Sequence, residues 1–304
     1  MKFAPVILFA YNRPNHIKRT IESVLTNKEA NQTDLFVFSD ASKREEDKLK
    51  VMQVREYLRT VKQFRSVTII ERKSNYGLGD NIIEGVTEII EKYGKVIVME
   101  DDLIASPYFL KYMNEGLDMY EDNDKVISIH GYLYPVKEKL SETFFMKGAD
   151  CLGWGTWKRG WSIFEPDGSI LLKKLIETHQ TNAFDYNNAY PFTQMLKDQI
   201  EGKNNSWAVR WYASAFLNDK YTLYPGKSLI YHAGGDGSGT NTGFDSMLDV
   251  TLTDKSIRLV KINVEQNISA YNAFMSFYRK ISYPSILYRL KRRLRKIFAL
   301  SFNR

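Results

Sequence analysis

Through the first 130 residues, short unbroken apolar runs alternate with longer segments whose apolar positions recur every three or four residues. That alternation predicts βαβ units and a parallel sheet. The runs predict strands at Pro5–Tyr11, Asp34–Ser39, Ser66–Glu71, Lys95–Met99 and Val126–His130. Between them Ile17, Ile21, Val24 and Leu25 mark one amphipathic helix face, and Leu78, Ile82, Ile83, Val86, Ile89 and Ile90 mark another. Ser106-Pro107 reads as the start of a further helix, a cap residue followed by proline at the first helical position.

From about Gly131 the pattern loosens into an aromatic-rich region that holds all five tryptophans: Trp154, Trp157, Trp161, Trp207 and Trp211. Helix-like stretches at 171–180, 184–201 and 206–218 surround them, and if the first three tryptophans are helical, their spacing puts them on one face. A short strand at Leu229–Tyr231 leads to a glycine-dense loop, His232 to Thr240, too rich in glycine for a regular element. Residues 244–270 say little, and helical periodicity returns from about Asn272 to Phe302.

At 304 residues, 43% hydrophobic and 26% charged, the composition is that of a globular chain able to bury a sizeable core. The single cysteine, Cys151, excludes an intrachain disulfide and a cysteine-based zinc site, and fits a reducing compartment. Phe3 to Tyr11 reads as a buried strand rather than a signal sequence, and no apolar stretch approaches the roughly 20 residues needed to span a bilayer. The formal charge of +7 is concentrated: Arg289, Lys291, Arg292, Arg293, Arg295, Lys296 and Arg304 follow Tyr283 with no acid among them, so the remaining chain is neutral overall. One localised basic element argues against a general nucleic-acid-binding surface.

In open α/β sheets ligands bind beyond the carboxyl ends of the strands. Strand ends here carry Tyr11-Asn12-Arg13, Ser39-Asp40, the run Asn75-Tyr76-Gly77-Leu78-Gly79, and Glu100-Asp101-Asp102. Three consecutive carboxylates repel one another unless a cation or donor groups relieve them. A hard divalent ion, Mg²⁺ or Mn²⁺, does so with one or two carboxylates and substrate phosphates completing its shell. The alternative is a solvated acidic turn ahead of the next helix.

Taken in order, Val6-Ile-Leu-Phe-Ala-Tyr-Asn-Arg-Pro14, Phe38-Ser-Asp40, Asn75-Tyr-Gly-Leu-Gly79 with Asn81, and Val96-Ile-Val-Met-Glu-Asp-Asp102 resemble the nucleotide-binding half of GT-A-fold glycosyltransferases. The likeness is nearest to the N-acetylglucosaminyltransferase I family and related bacterial sugar transferases, and it continues weakly through Leu152-Gly-Trp154 and Ser206-Trp207. It implies a Rossmann-like, mostly parallel central sheet with flanking helices. Residues 1–130 are then the nucleotide-sugar half, 131–270 the acceptor half of the same domain, and 271–304 a basic amphipathic C-terminal helix. It further implies that Arg13 and Asp40 contact the nucleotide, Asp40 near the uracil. Asn75 and Gly77 would shape the wall beside base and ribose, Asp101 would approach the ribose or sugar, and Asp102 would ligate Mn²⁺ or Mg²⁺. A histidine late in the chain serves some members as a further ligand, a role His232 could fill; it could equally be a structural residue ending its strand.

The sequence departs from the resemblance at Trp207-Ala-Val-Arg-Trp211, where the eukaryotic family carries acidic residues including the general base. An inverting displacement needs a carboxylate or histidine within hydrogen-bond reach of the attacking hydroxyl, and Asp236 is the first candidate with Asp150 second. Trp154 and Trp207 are expected to line the acceptor cleft. In the tail, Ile286, Leu287, Leu290, Leu294, Ile297, Phe298 and Leu300 alternate with bases at helical spacing, the pattern of a helix lying on an anionic membrane surface. The expected function is transfer of a sugar from a UDP-sugar to a glycan or lipid-linked acceptor in bacterial surface polysaccharide synthesis, in the cytoplasm at the inner face of the plasma membrane. The alternatives are a sugar nucleotidyltransferase, whose Gly-rich phosphate signature is not what stands at Tyr11 to Asn15, and a non-catalytic carbohydrate- or membrane-binding protein.

Overall fold

The computed structural model describes residues 3–236 and 247–282. Ten strands are formed: β1 (Val6–Ala10), β2 (Asp34–Ser39), β3 (Ser66–Glu71), β4 (Lys95–Glu100), β5 (Leu103–Ala105), β6 (Val126–His130), β7 (Thr143–Lys147), β8 (Trp154–Trp157), β9 (Tyr221–Pro225) and β10 (Ile230–His232). Eight of them make one sheet in the order β3-β2-β1-β4-β8-β6-β9-β7, and β5 and β10 make a separate pair. In the large sheet only β7 and β8 run against the rest, so it is mostly parallel. Helices α1 (Pro14–Leu25), α2 (Lys48–Thr60), α3 (Leu78–Tyr93) and α4 (Phe109–Met119) serve the first half. The second half carries α5 (Lys158–Trp161), α6 (Gly168–Glu177), α7 (Thr181–Phe184), α8 (Phe192–Ile200), α9 (Trp207–Leu217) and α10 (Ile268–Ser282).

The sheet is covered on both faces, and strand alternation decides which side chain goes where. Val6, Leu8 and Ala10 of β1 pack with Leu35, Val37, Ile97 and Met99 beneath α1, α2 and α4. Ile7 and Phe9 point the other way, with Phe36, Phe38, Val96 and Val98, against α3 and the tryptophans of α9. A third apolar cluster belongs to the second half and joins β7, α6, α8, α9 and α10. This α/β arrangement, a mostly parallel central sheet with helices on both sides, is consistent with the GT-A fold.

The apolar runs located five of the six strands of the first half, β1 to β4 and β6, to within a residue at either end, and missed the three-residue β5. The tryptophan spacing does not mark a helix face. Trp154 to Trp157 is strand β8, an odd offset that sends Trp154 to the α3 side and Trp157 to the α4 side. Nor does proline open α4, which starts at Phe109; the Ser106 hydroxyl accepts from the Tyr108 N–H (3.3 Å) and donates to the Thr253 carbonyl (2.8 Å).

Helix α10 is part of the core. Phe274 is buried and Phe277 and Tyr278 nearly so, with rings around Tyr134, and the Ser282 hydroxyl closes the helix by donating to the Ala189 carbonyl at 2.9 Å. Residues 283–304, on which the membrane expectation rests, lie outside the described residues. Among the described residues no helix is long and apolar enough to cross a membrane.

Candidate active site

Because β1 pairs in parallel with both β2 and β4, Phe9 lies opposite Phe38 and Glu100, and the chain leaves all three strands on the same edge. Tyr11 to Arg13, Asp40, and Glu100 to Asp102 therefore meet there.

One part of the edge is built on Asp40. This 4% exposed carboxylate takes the N–H groups of Ala41 (2.8 Å) and Tyr76 (2.9 Å) on one oxygen, and the N–H of Gly77 (2.9 Å) and the Asn75 amide (3.0 Å) on the other. Four donors fill a carboxylate's lone-pair directions. Asp40 thus holds the Asn75–Gly77 wall in place rather than presenting unused oxygens to a base. Gly77 has φ +73, a conformation glycine adopts without strain, and its carbonyl accepts the Asn81 N–H as α3 begins. Asn75 also donates to the Ala41 carbonyl at 2.7 Å, which ties the Asn75–Gly77 segment to the loop after β2.

Two residues to which the motif reading gave no role, Arg72 and Tyr11, shape the same region. The Arg72 guanidinium lies 4.3 Å from the Tyr76 ring centre and 5.1 Å from that of Phe38, with its Nε donating to Asn81 (2.9 Å). The Tyr11 hydroxyl accepts from the Lys43 N–H (2.9 Å) and donates to Asp47 (3.0 Å), which fixes the loop after β2. The available signal for Arg72 was a base directly after a predicted strand; for Tyr11 there was only its place at a strand end.

The other part is the acidic triplet. Arg13, at the residue before α1, reaches the acids rather than standing apart from them: one terminal nitrogen pairs with Asp101 Oδ1 and the other donates to Asp102 Oδ2 at 2.9 Å. The Tyr11 N–H approaches Asp101 Oδ2 (3.4 Å), and the Thr20 hydroxyl binds the Asp101 carbonyl (2.7 Å). On the far side, β10 pairs antiparallel with β5 so that His232 is opposite Leu103, and the Ala233 N–H binds the Asp102 carbonyl at 2.8 Å. This brings His232 Nε2 to 3.5 Å from Asp102 Oδ2.

The three carboxyls are driven apart in acidity. Burial first, then repulsion by Asp102 and Asp101, pushes Glu100 up to about 8. Burial also raises Asp101, against the pull of Arg13. Burial opposes ionisation of Asp102 as well, yet contact with His232 and the charge of Arg13 outweigh it and bring this carboxyl down to about 2. Of the three, Asp102 is thus the carboxyl held most firmly in its charged form and Glu100 one pushed toward its neutral form.

The residues fit a hard divalent ion. Asp102 and His232 offer one oxygen and one nitrogen on facing segments, and Gly234 leaves the space between them open: a Cβ there would lie 2.4 Å from Asp102 Oδ2 and 2.9 Å from His232 Nε2. Among the described residues no group of three or more acidic, histidine or cysteine side chains is gathered tightly enough to hold a metal unaided. Substrate phosphates and water are needed to complete such a shell, as is usual for Mg²⁺.

The remaining expectations divide. Asp236, with a side chain 49% exposed, follows the His232–Gly235 turn and has an oxygen 3.1 Å from His16 Nε2, which places it beside the acidic edge. Asp150 is more enclosed: it accepts from the hydroxyls of Tyr134 (2.7 Å) and Tyr224 (3.0 Å) and from the Cys151 N–H (2.8 Å). Trp154 and Trp207 do not line a cleft. They are 1% and 4% exposed and stack on each other at 5.5 Å in the α3-side core, because β8 is an interior strand and α9 packs across it. The part of the glycine-rich loop from 237 to 240 lies outside the described residues.

The family model described as glycosyl transferase family 2 matches residues 6–180, more than half of the chain, a range that holds Arg13, Asp40 and the acidic triplet but not His232 or Asp236. No curated protein matches by sequence. Solved structures with a similar fold include a mannosyltransferase from Pyrobaculum calidifontis in complex with GDP-Man and Mn²⁺, at 13% identity and a TM-score of 0.33 over 42% of this chain and 35% of that one. TarS of S. aureus is similar at 14% identity and a TM-score of 0.42, over 78% of this chain and 37% of its own. A UDP-glucose pyrophosphorylase complexed with UDP-glucose is similar at 11% identity and a TM-score of 0.39, over 76% and 94%. The chain spans little more than a third of the first two.

Proposed function

The chain belongs to glycosyl transferase family 2, and from that premise we propose that it moves a sugar from a UDP-sugar to a glycan or lipid-linked glycan acceptor with the help of Mn²⁺ or Mg²⁺. The observation that carries this reading is the meeting of Arg13, Asp101, Asp102 and His232 at the carboxyl edge of the parallel strands, next to the loop that Asp40 holds. The choice of a UDP-sugar, and the nearness to the N-acetylglucosaminyltransferase I family, rest on the ordered motifs from Val6 to Asp102.

In this reading the wall of Asn75, Tyr76 and Gly77 faces the base and ribose, with Tyr11 below. The diphosphate would lie toward Asp102, where Asp102 and His232 would hold the ion. A divalent ion there neutralises charge that develops on the departing diphosphate. Asp102 is suited to the task because it stays ionised far below neutral pH, whereas a protonated Glu100 spares the site a third negative charge.

The acceptor hydroxyl attacks the anomeric carbon from the side opposite the diphosphate, which leaves as the new bond forms and so inverts the configuration, and the hydroxyl proton passes to a carboxylate. Asp236 suits that role better than Asp150. Asp150 is enclosed, with Tyr134, Tyr224 and the Cys151 N–H on its two oxygens, while the Asp236 side chain is about half open to solvent beside His16, where an acceptor can reach it. Synthesis of bacterial surface polysaccharide at the inner face of the plasma membrane completes the proposal, supported by the basic, apolar pattern of 283–304.

Calorimetric titration of UDP with and without Mn²⁺ tests the donor site. The reading requires Mn²⁺-dependent UDP binding that disappears in Asp102→Asn, and it fails if UDP binds neither protein under any metal condition.

A further inference from the structure

We propose that Arg13 is the resident counter-ion of the Asp101–Asp102 pair, and that a nucleotide diphosphate opens the site to a divalent ion by drawing the guanidinium off these carboxylates onto its phosphates. The proposal rests on the metal-dependent reading above and adds to it an order of events and a role for Arg13 beyond nucleotide contact.

The geometry points this way for three reasons. The guanidinium bridges rather than pairs, each terminal nitrogen serving a different carboxylate. The bridge is shielded: the side chains of Asp101 and Asp102 are 4% and 9% exposed and that of Arg13 is 17% exposed, so water and salt do little to loosen it. The oxygen that Arg13 holds, Asp102 Oδ2, is also the one His232 faces and Gly234 leaves accessible. A dication held by His232 and the Asp102 oxygen that faces it would therefore share that oxygen with a fixed positive charge. Arginine is suited to the exchange because its planar fork matches phosphate as well as carboxylate. Bare Mn²⁺ accordingly binds weakly, and nucleotide strengthens it by removing a competitor as well as by offering ligands.

The test is titration of Mn²⁺ alone into the full chain, read by the electron paramagnetic resonance of the free ion, with parallel titrations in the presence of UDP. Arg13→Gln is expected to bind Mn²⁺ without nucleotide at least tenfold more tightly than the wild type. Arg13→Lys, a point charge that cannot bridge both acids, is expected to fall between them. The gain must vanish in Arg13→Gln/Asp102→Asn; a gain that survives the second change lies at another site and overturns the proposal. If wild type takes up Mn²⁺ with UDP while Arg13→Gln and wild type bind bare Mn²⁺ equally, the counter-ion role is overturned and the metal-dependent reading stands. If neither takes up Mn²⁺ even with UDP, both are overturned. Should Arg13→Gln fail to fold, as judged by its thermal transition, the lysine variant carries the comparison, with unchanged Mn²⁺ affinity as the refuting result.

Discussion

His232 Nε2 stands 3.5 Å from Asp102 Oδ2, and it does so because a three-residue strand after the acidic triplet pairs with a three-residue strand far along the chain. The second half of the domain thus supplies one wall of a site that the first half would otherwise leave open.

Replacement of His232 by Ala is expected to weaken Mn²⁺-dependent UDP binding by roughly tenfold or more while UDP binding without metal stays unchanged, consistent with the usual loss when a group supporting a metal site is removed. Calorimetry with and without Mn²⁺ separates the two. Equal losses in both conditions would show that His232 only supports the strand.

Gly234→Ala places a methyl group 2.4 Å from Asp102 Oδ2, far inside contact distance. The carboxylate or the turn has to shift, so Mn²⁺-dependent nucleotide binding is expected to fall by a factor larger than any change in stability explains. The check is a binding isotherm beside a urea unfolding curve; full binding would mean that the turn yields without disturbing Asp102.

For Asp40→Asn the expectation is mainly structural. One of the two oxygens becomes an N–H₂ group facing backbone N–H donors, and a buried donor left without a partner costs about 1–3 kcal/mol. Chemical denaturation should show a loss of that order. Nucleotide binding should weaken with it, because Asn75, Tyr76 and Gly77 lose their common anchor.

Acid sensitivity should carry a signature of His130. Burial lowers its pKa below the usual value, against the opposing charge of Asp150, and Nδ1–H donates to the Tyr132 carbonyl (2.9 Å) while Nε2 accepts the Leu152 N–H (3.1 Å). The unfolded chain takes up a proton near pH 6.5 and the folded one resists it. Its contribution is therefore fully present above about 6.5 and is lost as the pH falls through the lowered folded value. Melting temperatures of wild type and His130→Asn between pH 7.5 and 5 test this; the variant should show the shallower slope, whatever its absolute stability.

Trp154→Ala should act through the core. A buried aromatic replaced by alanine costs about 3–5 kcal/mol, and Trp154 touches Trp161, Trp207 and Trp211. An unfolding midpoint shifted accordingly, with acceptor KM unchanged in protein that remains folded, is the expected result. A raised KM at unchanged stability would restore the tryptophan to the acceptor cleft.

Much of the first half was legible because a strand buried on both faces needs a continuous apolar run, and β1, β2, β4 and β6 supply one each. The motif positions at their ends then had to share an edge. What escaped was set by contacts distant in sequence. The strand read at Leu229–Tyr231 is β10 to within a residue, but β5 is too short to carry a period, so the pairing of the two that brings His232 to Asp102 had no local trace. Trp154 and Trp157 are separated by three residues, a spacing that suits a helix face and equally the two sides of a strand; only the neighbours β4 and β6 decide. Arg13 was placed at the nucleotide by resemblance, and its bridge to two carboxylates depends on where the triplet folds.

The bond from the Ser282 hydroxyl to the Ala189 carbonyl has a practical meaning for whatever the remaining chain attaches to. With Phe274, Phe277 and Tyr278 packed around Tyr134, and Tyr134 bonded to Asp150, the helix end at Ser282 is a fixed mooring on the second half of the chain and not a slack tether. A surface that captures the chain beyond Ser282 would set the compass bearing of the whole molecule, and lengthening that junction by a few glycines would trade orientation for reach.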